Sequence, residues 1–138
     1  MTESLESAWT AIVDVAKHLD DQTRRPYEVG LTALVHLARP GWFGQYYPFT
    51  AMGNLCFSDG PQWWMGTGTV LSILLVVRDE GGYDVWPYNP YPSIPANAEP
   101  QLCTDSAAAA LVEAQRILQK PDPQREHDPR WPQRPLAR

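Results

Sequence analysis

Charge of one sign never gathers in this 138-residue chain. Residues 1–39 hold four basic and six acidic side chains, residues 78–138 hold seven and nine, and the net charge is -5. A nucleic-acid binder needs a basic patch, so that class is excluded. Cysteine is scarce as well. Cys56 and Cys103 stand far apart, without metal-ligand or redox spacing, and read as buried free thiols. The longest apolar stretch, Val70 to Val77, is interrupted by Ser72. It falls far short of the roughly 20 residues of a membrane span. Glu3 and Glu6, with no apolar run beside them, argue against a secretory signal. The expectation is a cytoplasmic protein with neither a membrane nor a nucleic-acid partner.

Motifs that carry known chemistries are missing too. There is no Gly-x-Ser-x-Gly elbow. Gly66-Thr67-Gly68 precedes a strand, whereas a dinucleotide loop follows one and opens a helix. His18, His36 and His127 have no i, i+4 pairing, and no carboxylate repeat supports them. His18 and His36 lie near helix C-termini, where the dipole favours them. No metal and no cofactor are expected.

What the chain does have is aromatic rings. Between Pro40 and Val77 the one charged residue is Asp59, and the rings are Trp42, Phe43, Tyr46, Tyr47, Phe49, Phe57, Trp63 and Trp64. Tyr83, Trp86, Tyr88 and Tyr91 follow. Adjacent Trp63 and Trp64 cannot both point inward from a strand, and rings among Gly and Pro sit on loops. Such a segment suits a ligand pocket or a partner surface, with some rings covering the sheet.

The pattern of apolar residues predicts the elements. Leu5, Trp9, Ile12, Ala16 and Leu19 mark a helix over residues 4–20, and Asp20 to Thr23 reads as a break. Pro26 opens a second helix, which Pro40-Gly41 stops. Residues 41–50 read as loop and 55–57 as a short strand. Val70 to Arg78 is the best strand, and its near-continuous apolar character predicts a central place with both faces buried. Asp79 to Gly82 is a turn, and Tyr83 to Trp86 returns as a hairpin partner. Residues 101–103 form a last edge strand. Thr104 caps a third helix over 105–119, which Pro121 ends. The fold class is α+β: a small antiparallel sheet of three to four strands with helices on one face. Residues 1–119 form one domain. A Pro-rich tail follows over residues 120–138, disordered by composition, with Trp131 as its natural anchor.

General acid–base chemistry needs a positioned titratable group in a dry pocket. Asp59 is the candidate, although Ser58-Asp59-Gly60-Pro61 is also ordinary turn chemistry. Asp84 is a lesser one, because it reads as the outward residue of a strand. Tyr46, Tyr47, Tyr88 and Tyr91 are phenols able to donate to a carbonyl. Tyr47 and Tyr88 join Asp59 as the catalytic set. Trp42, Phe49, Met52, Trp63, Trp64, Trp86 and Tyr91 form the substrate wall.

The stretch Tyr47-Pro48-Phe49-Thr50-Ala51-Met52-Gly53-Asn54-Leu55-Cys56-Phe57-Ser58 resembles the "Pro-Phe-Thr-Ser…Leu-x-Phe-Ser" signature of a small actinobacterial family of unknown function associated with natural-product biosynthesis. The strand at Gly82-Tyr83-Asp84-Val85 and the alanine-rich helix from Thr104 to Leu118 fit the same pattern. The resemblance covers about residues 7–118. The family often has a histidine where this chain has Met52, so the chain departs from it there. No catalytic residue carries over. The resemblance implies a bacterial cytoplasmic protein working beside a polyketide or peptide assembly pathway.

The leading expectation is a cofactor-independent tailoring protein, a cyclase or isomerase. It would fold an apolar biosynthetic intermediate by shape and orientation while Asp59 and the tyrosines polarise a carbonyl. The alternative is a non-catalytic accessory or immunity-like module that binds a partner enzyme. Self-association through the rings is the third reading.

Overall fold

The computed structural model of the chain describes residues 4–61, 68–88 and 98–120. The helices are α1 (Leu5–Thr23), α2 (Leu31–Ala38) and α3 (Ala107–Gln119). The strands are β1 (Tyr47–Ala51), β2 (Asn54–Ser58), β3 (Leu74–Val77), β4 (Tyr83–Trp86) and β5 (Leu102–Thr104). Each strand pairs antiparallel with its chain neighbour, so the open sheet runs β1-β2-β3-β4-β5. The α+β class is as expected. The sheet has five strands where three to four were expected, and β1 is the addition. Its Pro48 reads as a loop residue, but an edge strand tolerates proline because one side of its backbone needs no partner. No helix among the described residues is long and apolar enough to cross a membrane. The Pro-rich tail from Pro121 onward, with Trp131, lies outside the described residues.

Local chemistry sets the element boundaries. Ser4 Oγ accepts the Ser7 N–H and caps α1. That helix runs through the expected break at Asp20 to Thr23 and ends at Arg24, whose backbone is left-handed (φ 59°). Pro26 precedes a 3₁₀ turn, Tyr27–Val29, and α2 begins only at Leu31. Ser106 rather than Thr104 caps α3, accepting the Ala109 N–H at 3.0 Å. Thr104 Oγ1 in turn accepts the Ser106 N–H at 3.0 Å.

The apolar run from Val70 yields a shorter strand than expected. Val70 makes an isolated bridge to Ser58, and Ile73 N–H turns back to the Leu71 carbonyl, so regular pairing starts at Leu74. Its central place is as expected. Strand side chains alternate between faces, so Leu75 and Val77 meet the helices while Leu74 and Val76 join the opposite face. On the helix face, Trp9, Ile12 and Ala16 of α1, Leu34 and Val35 of α2, and Ala110, Leu111 and Ala114 of α3 pack on Leu55, Phe57, Leu75, Tyr83 and Val85.

One buried carboxylate joins three of these elements. Asp20, fully buried near the end of α1, accepts the Leu31 N–H at 3.0 Å and the Thr32 N–H at 2.8 Å. Those are the first N–H groups of α2, whose own N-cap, Gly30, has no side chain to offer. Buried Arg25 brings its guanidinium to 3.6 Å from the same carboxylate. A Cβ on Gly30 would lie 2.6 Å from Asp20 Oδ1, so only glycine admits this approach. The Tyr83 hydroxyl of β4 donates to the Gly30 carbonyl at 2.7 Å. Burial first, and then the Asp20 charge, hold that phenol above the usual tyrosine range. Asp20→Ala would leave two buried N–H groups and a buried guanidinium without their partner. The expected loss is about 3 kcal/mol of unfolding free energy, measured by urea denaturation, because buried charges left unpaired cost several-fold more than surface ones.

Candidate functional site

Among the described residues the rings do not form one wall; the sheet divides them. On the helix side Phe43 stacks on Phe57 with ring centroids 4.4 Å apart, and Trp42 meets Phe43 edge-on at 5.0 Å and Tyr46 at 5.2 Å. Trp9 of α1 joins through Phe57 and donates its indole N–H to the Tyr46 carbonyl at 3.0 Å. These rings are core and its margin, which is the structural use that a sequence reading sets beside ligand binding. Trp42 is half-buried and borders a shallow apolar groove between α2 and α3, where Leu37 and Val112 are exposed.

On the opposite face lies a second apolar cluster of Cys56, Val70, Leu74 and Trp86, with half-buried Phe49, Ala51, Val76, Tyr88 and Ala98 against it. The register explains the grouping, because Phe49 lies opposite Cys56 and Trp86 opposite Leu74. Trp86 and Tyr88 meet edge-on at 6.0 Å. Three of the expected wall and catalytic residues, Phe49, Trp86 and Tyr88, therefore share this face. Trp63, Trp64 and Tyr91 lie outside the described residues.

Met52 stands apart from both clusters. It is the first residue of the two-residue turn between β1 and β2 and is 82% exposed. Met52 (φ 55°) and Gly53 (φ 81°) are both left-handed, as a type I′ hairpin requires. Glycine adopts this backbone without penalty, whereas methionine does so at a cost.

Asp59 has a defined task. Its N–H bonds the Thr69 carbonyl at 3.0 Å, and its Oδ1 accepts the Thr69 N–H at 2.5 Å. The carboxylate thus closes the connection after β2, as turn chemistry predicts. It also lies close enough to Tyr46 to push that phenol up, after burial as the main cause. Asp84 faces Arg78, with 3.5 Å between its Oδ1 and Nη1, and Arg78 also holds Asp105 at 2.8 Å. Asp59 follows Ser58, which pairs with Tyr47 at the start of β1, whereas Tyr88 lies just beyond the end of β4. No described hydrogen bond links the three. Among the described residues no group of three or more His, Cys, Asp or Glu is placed to hold a metal ion.

One groove beside β1 is lined by a residue set that the sequence does not single out. A groove of about 220 Å³ lies between α1 and β1, lined by Ala8, Ala11, Ile12 and Val15 on one wall and Tyr47, Pro48, Phe49 and Thr50 on the other, with Ser58 and Pro61 at one end. Small side chains at positions 8 and 11 keep the helix from filling the space beside the strand. Val15 is 40% exposed at its rim. Among the described residues, Tyr47 is the one titratable side chain in this lining. The sequence signal is faint: Ala8, Ala11 and Val15 sit at three- and four-residue steps beside the core stripe, and nothing in their spacing says that a strand edge lies opposite.

The cysteines differ in setting. Burial pushes the Cys56 thiol up to about 12, so it stays protonated and unreactive at neutral pH. Cys103 is exposed, and a hydrogen bond with Asp84, followed by partial burial, holds its thiol above the usual range. A thiol reagent at pH 8 is therefore expected to label Cys103 slowly and Cys56 only after unfolding, counted by intact mass with and without denaturant. Compared with family models, with curated proteins and with solved structures, the chain matches none.

Proposed function

We propose that this chain is a non-catalytic protein-binding module, an accessory or inhibitor-like subunit for a partner protein. One observation carries the reading. The groove between α1 and β1 is open and laid along a sheet edge, and among the described residues its lining is mostly apolar side chains, with Tyr47 as the one titratable group. Catalysis by general acid and base needs convergent groups in a dry site. Here the Asp59 carboxylate is engaged with a backbone N–H instead. A surface that combines an edge strand with an apolar trough suits a macromolecular partner. Affinity capture with the full chain, followed by reconstitution from purified components, tests this. The expected result is a stoichiometric complex that Val15→Glu weakens at least tenfold, while Val112→Glu on the α2–α3 surface leaves it intact. The reading fails if the reconstituted proteins do not associate.

A second reading has its own support. Phe49, Trp86 and Tyr88 share the face opposite the helices, around buried Cys56 and Leu74. Rings grouped in this way suit an apolar biosynthetic intermediate, which a tailoring protein in the setting implied by the family resemblance would bind. Native mass spectrometry of protein purified from its source distinguishes the two: a retained drug-sized mass favours the tailoring reading, and a clean apo mass counts against it.

A further inference from the structure

The edge strand itself points to a partner of particular chemistry. β1 pairs with β2 on one side, and no described strand lies on the other. In a two-residue hairpin, the residues flanking the turn exchange hydrogen bonds, and the bonded pairs then alternate. Ala51 with Asn54, Phe49 with Cys56 and Tyr47 with Ser58 are thus the bonded pairs. The backbone groups of Pro48 and Thr50 point outward. Pro48 has no N–H to offer and is itself buried, which leaves the Thr50 N–H and carbonyl as the edge unpaired among the described residues.

Natural sheets blunt such edges with lysine, inward charges or brevity. The other edge, β5, is only three residues long and is followed directly by Asp105. β1 is five residues long and carries no charge. Among the described residues Pro48 is its only guard, and that proline covers the first half alone.

The charges that border this edge are of one sign. Along α1, Ala11 and Val15 line the groove. At 100° per residue, Asp14 and His18 lie beside them on the solvent flank. The basic Lys17 falls seven residues after Thr10, and Thr10 faces α2, where Arg39 donates to its hydroxyl at 3.2 Å. Lys17 therefore sits on the far flank of the helix. At the end of the groove beyond Ser58 stands Asp59, exposed and acidic. Among the described residues, the formal charges flanking β1 are the Asp14 and Asp59 carboxylates.

We propose that β1 accepts an added strand: an extended segment of a protein partner, basic in character, that pairs with Thr50 and sets alternate apolar side chains into the trough beside Ala11 and Val15. This rests on the protein-binding reading above and names the partner's chemistry. Main-chain bonds give such a mode its affinity, and alternate side chains together with charge give it specificity.

Two capped hexapeptides test it on the full chain, one alternating lysine and valine and one alternating glutamate and valine. Amide shifts are followed by NMR, with hydrogen exchange at Thr50. The lysine peptide is expected to shift β1 and α1 amides and to slow Thr50 exchange at least fivefold, and the glutamate peptide is expected to do neither. Asp14→Lys, an exposed change that leaves the fold intact, should weaken the lysine peptide about three- to tenfold. Thr50→Pro, which removes the outward N–H without breaking a β1–β2 bond, should abolish binding; a Val15→Glu variant gives the same reading if the proline variant fails to fold. Equal binding of both peptides, shifts confined to the α2–α3 surface, or no binding of the lysine peptide overturns the strand-addition proposal. None of those results touches the complex reconstituted from purified proteins, so failure here and failure of the broader reading are separable.

Discussion

The buried Asp20 carboxylate is the joint on which the helical layer depends. α2 is only eight residues long, and its N-terminus is presented to the core with glycine as its cap. A helix that short has little intrinsic stability and leaves its first N–H groups without partners. Asp20 reaches from the preceding helix to supply both acceptors, and a carboxylate at that end also suits the helix dipole. Arg25 offsets the buried charge, and Tyr83 ties Gly30 to the sheet. The angle between α1 and α2, and hence the seat of α1 over β1, follows from this cluster.

With α1 so placed, the sheet acts as a partition. Strand alternation sends Leu55, Phe57, Leu75 and Val85 toward the helices and Cys56, Leu74 and Trp86 away from them. An aromatic segment that looks uniform along the chain is thereby split into a packed core and a separate opposite face. The α1–β1 groove arises where the partition ends. The helix offers alanine at positions 8 and 11, too small to close over the edge strand, and Trp9 fixes the spacing by its bond to the Tyr46 carbonyl. The protein-binding reading depends on that edge being accessible and uncharged.

Much of the framework was legible. The run of Leu and Val around position 75 announced a strand buried on both faces, and Asp79 to Gly82 announced a hairpin; β3 is central and pairs with β4. The α3 helix, expected over 105–119, starts at Ala107. The misses have physical causes. Residues 41–50 read as loop because Gly, Pro and aromatics dominate them, yet an edge strand such as β1 needs backbone pairing on one side only. Asp20 to Thr23 looked like a helix end because acidic and polar residues favour ends. The helix continues because Asp20 finds its partners eleven and twelve residues further on. Asp59 showed both of its meanings in the sequence, and the structure uses it to hold Thr69.

Composition and periodicity determined the class of the molecule: a small α+β domain with a scattered, mildly acidic charge and a surplus of rings. Those properties belong to single residues and near neighbours, whose spacing is fixed by helix and strand geometry. The partition of the rings, the buried carboxylate and the open edge beside α1 were decided only in three dimensions. Each depends on which residues meet across long stretches of chain, and no local pattern encodes that meeting.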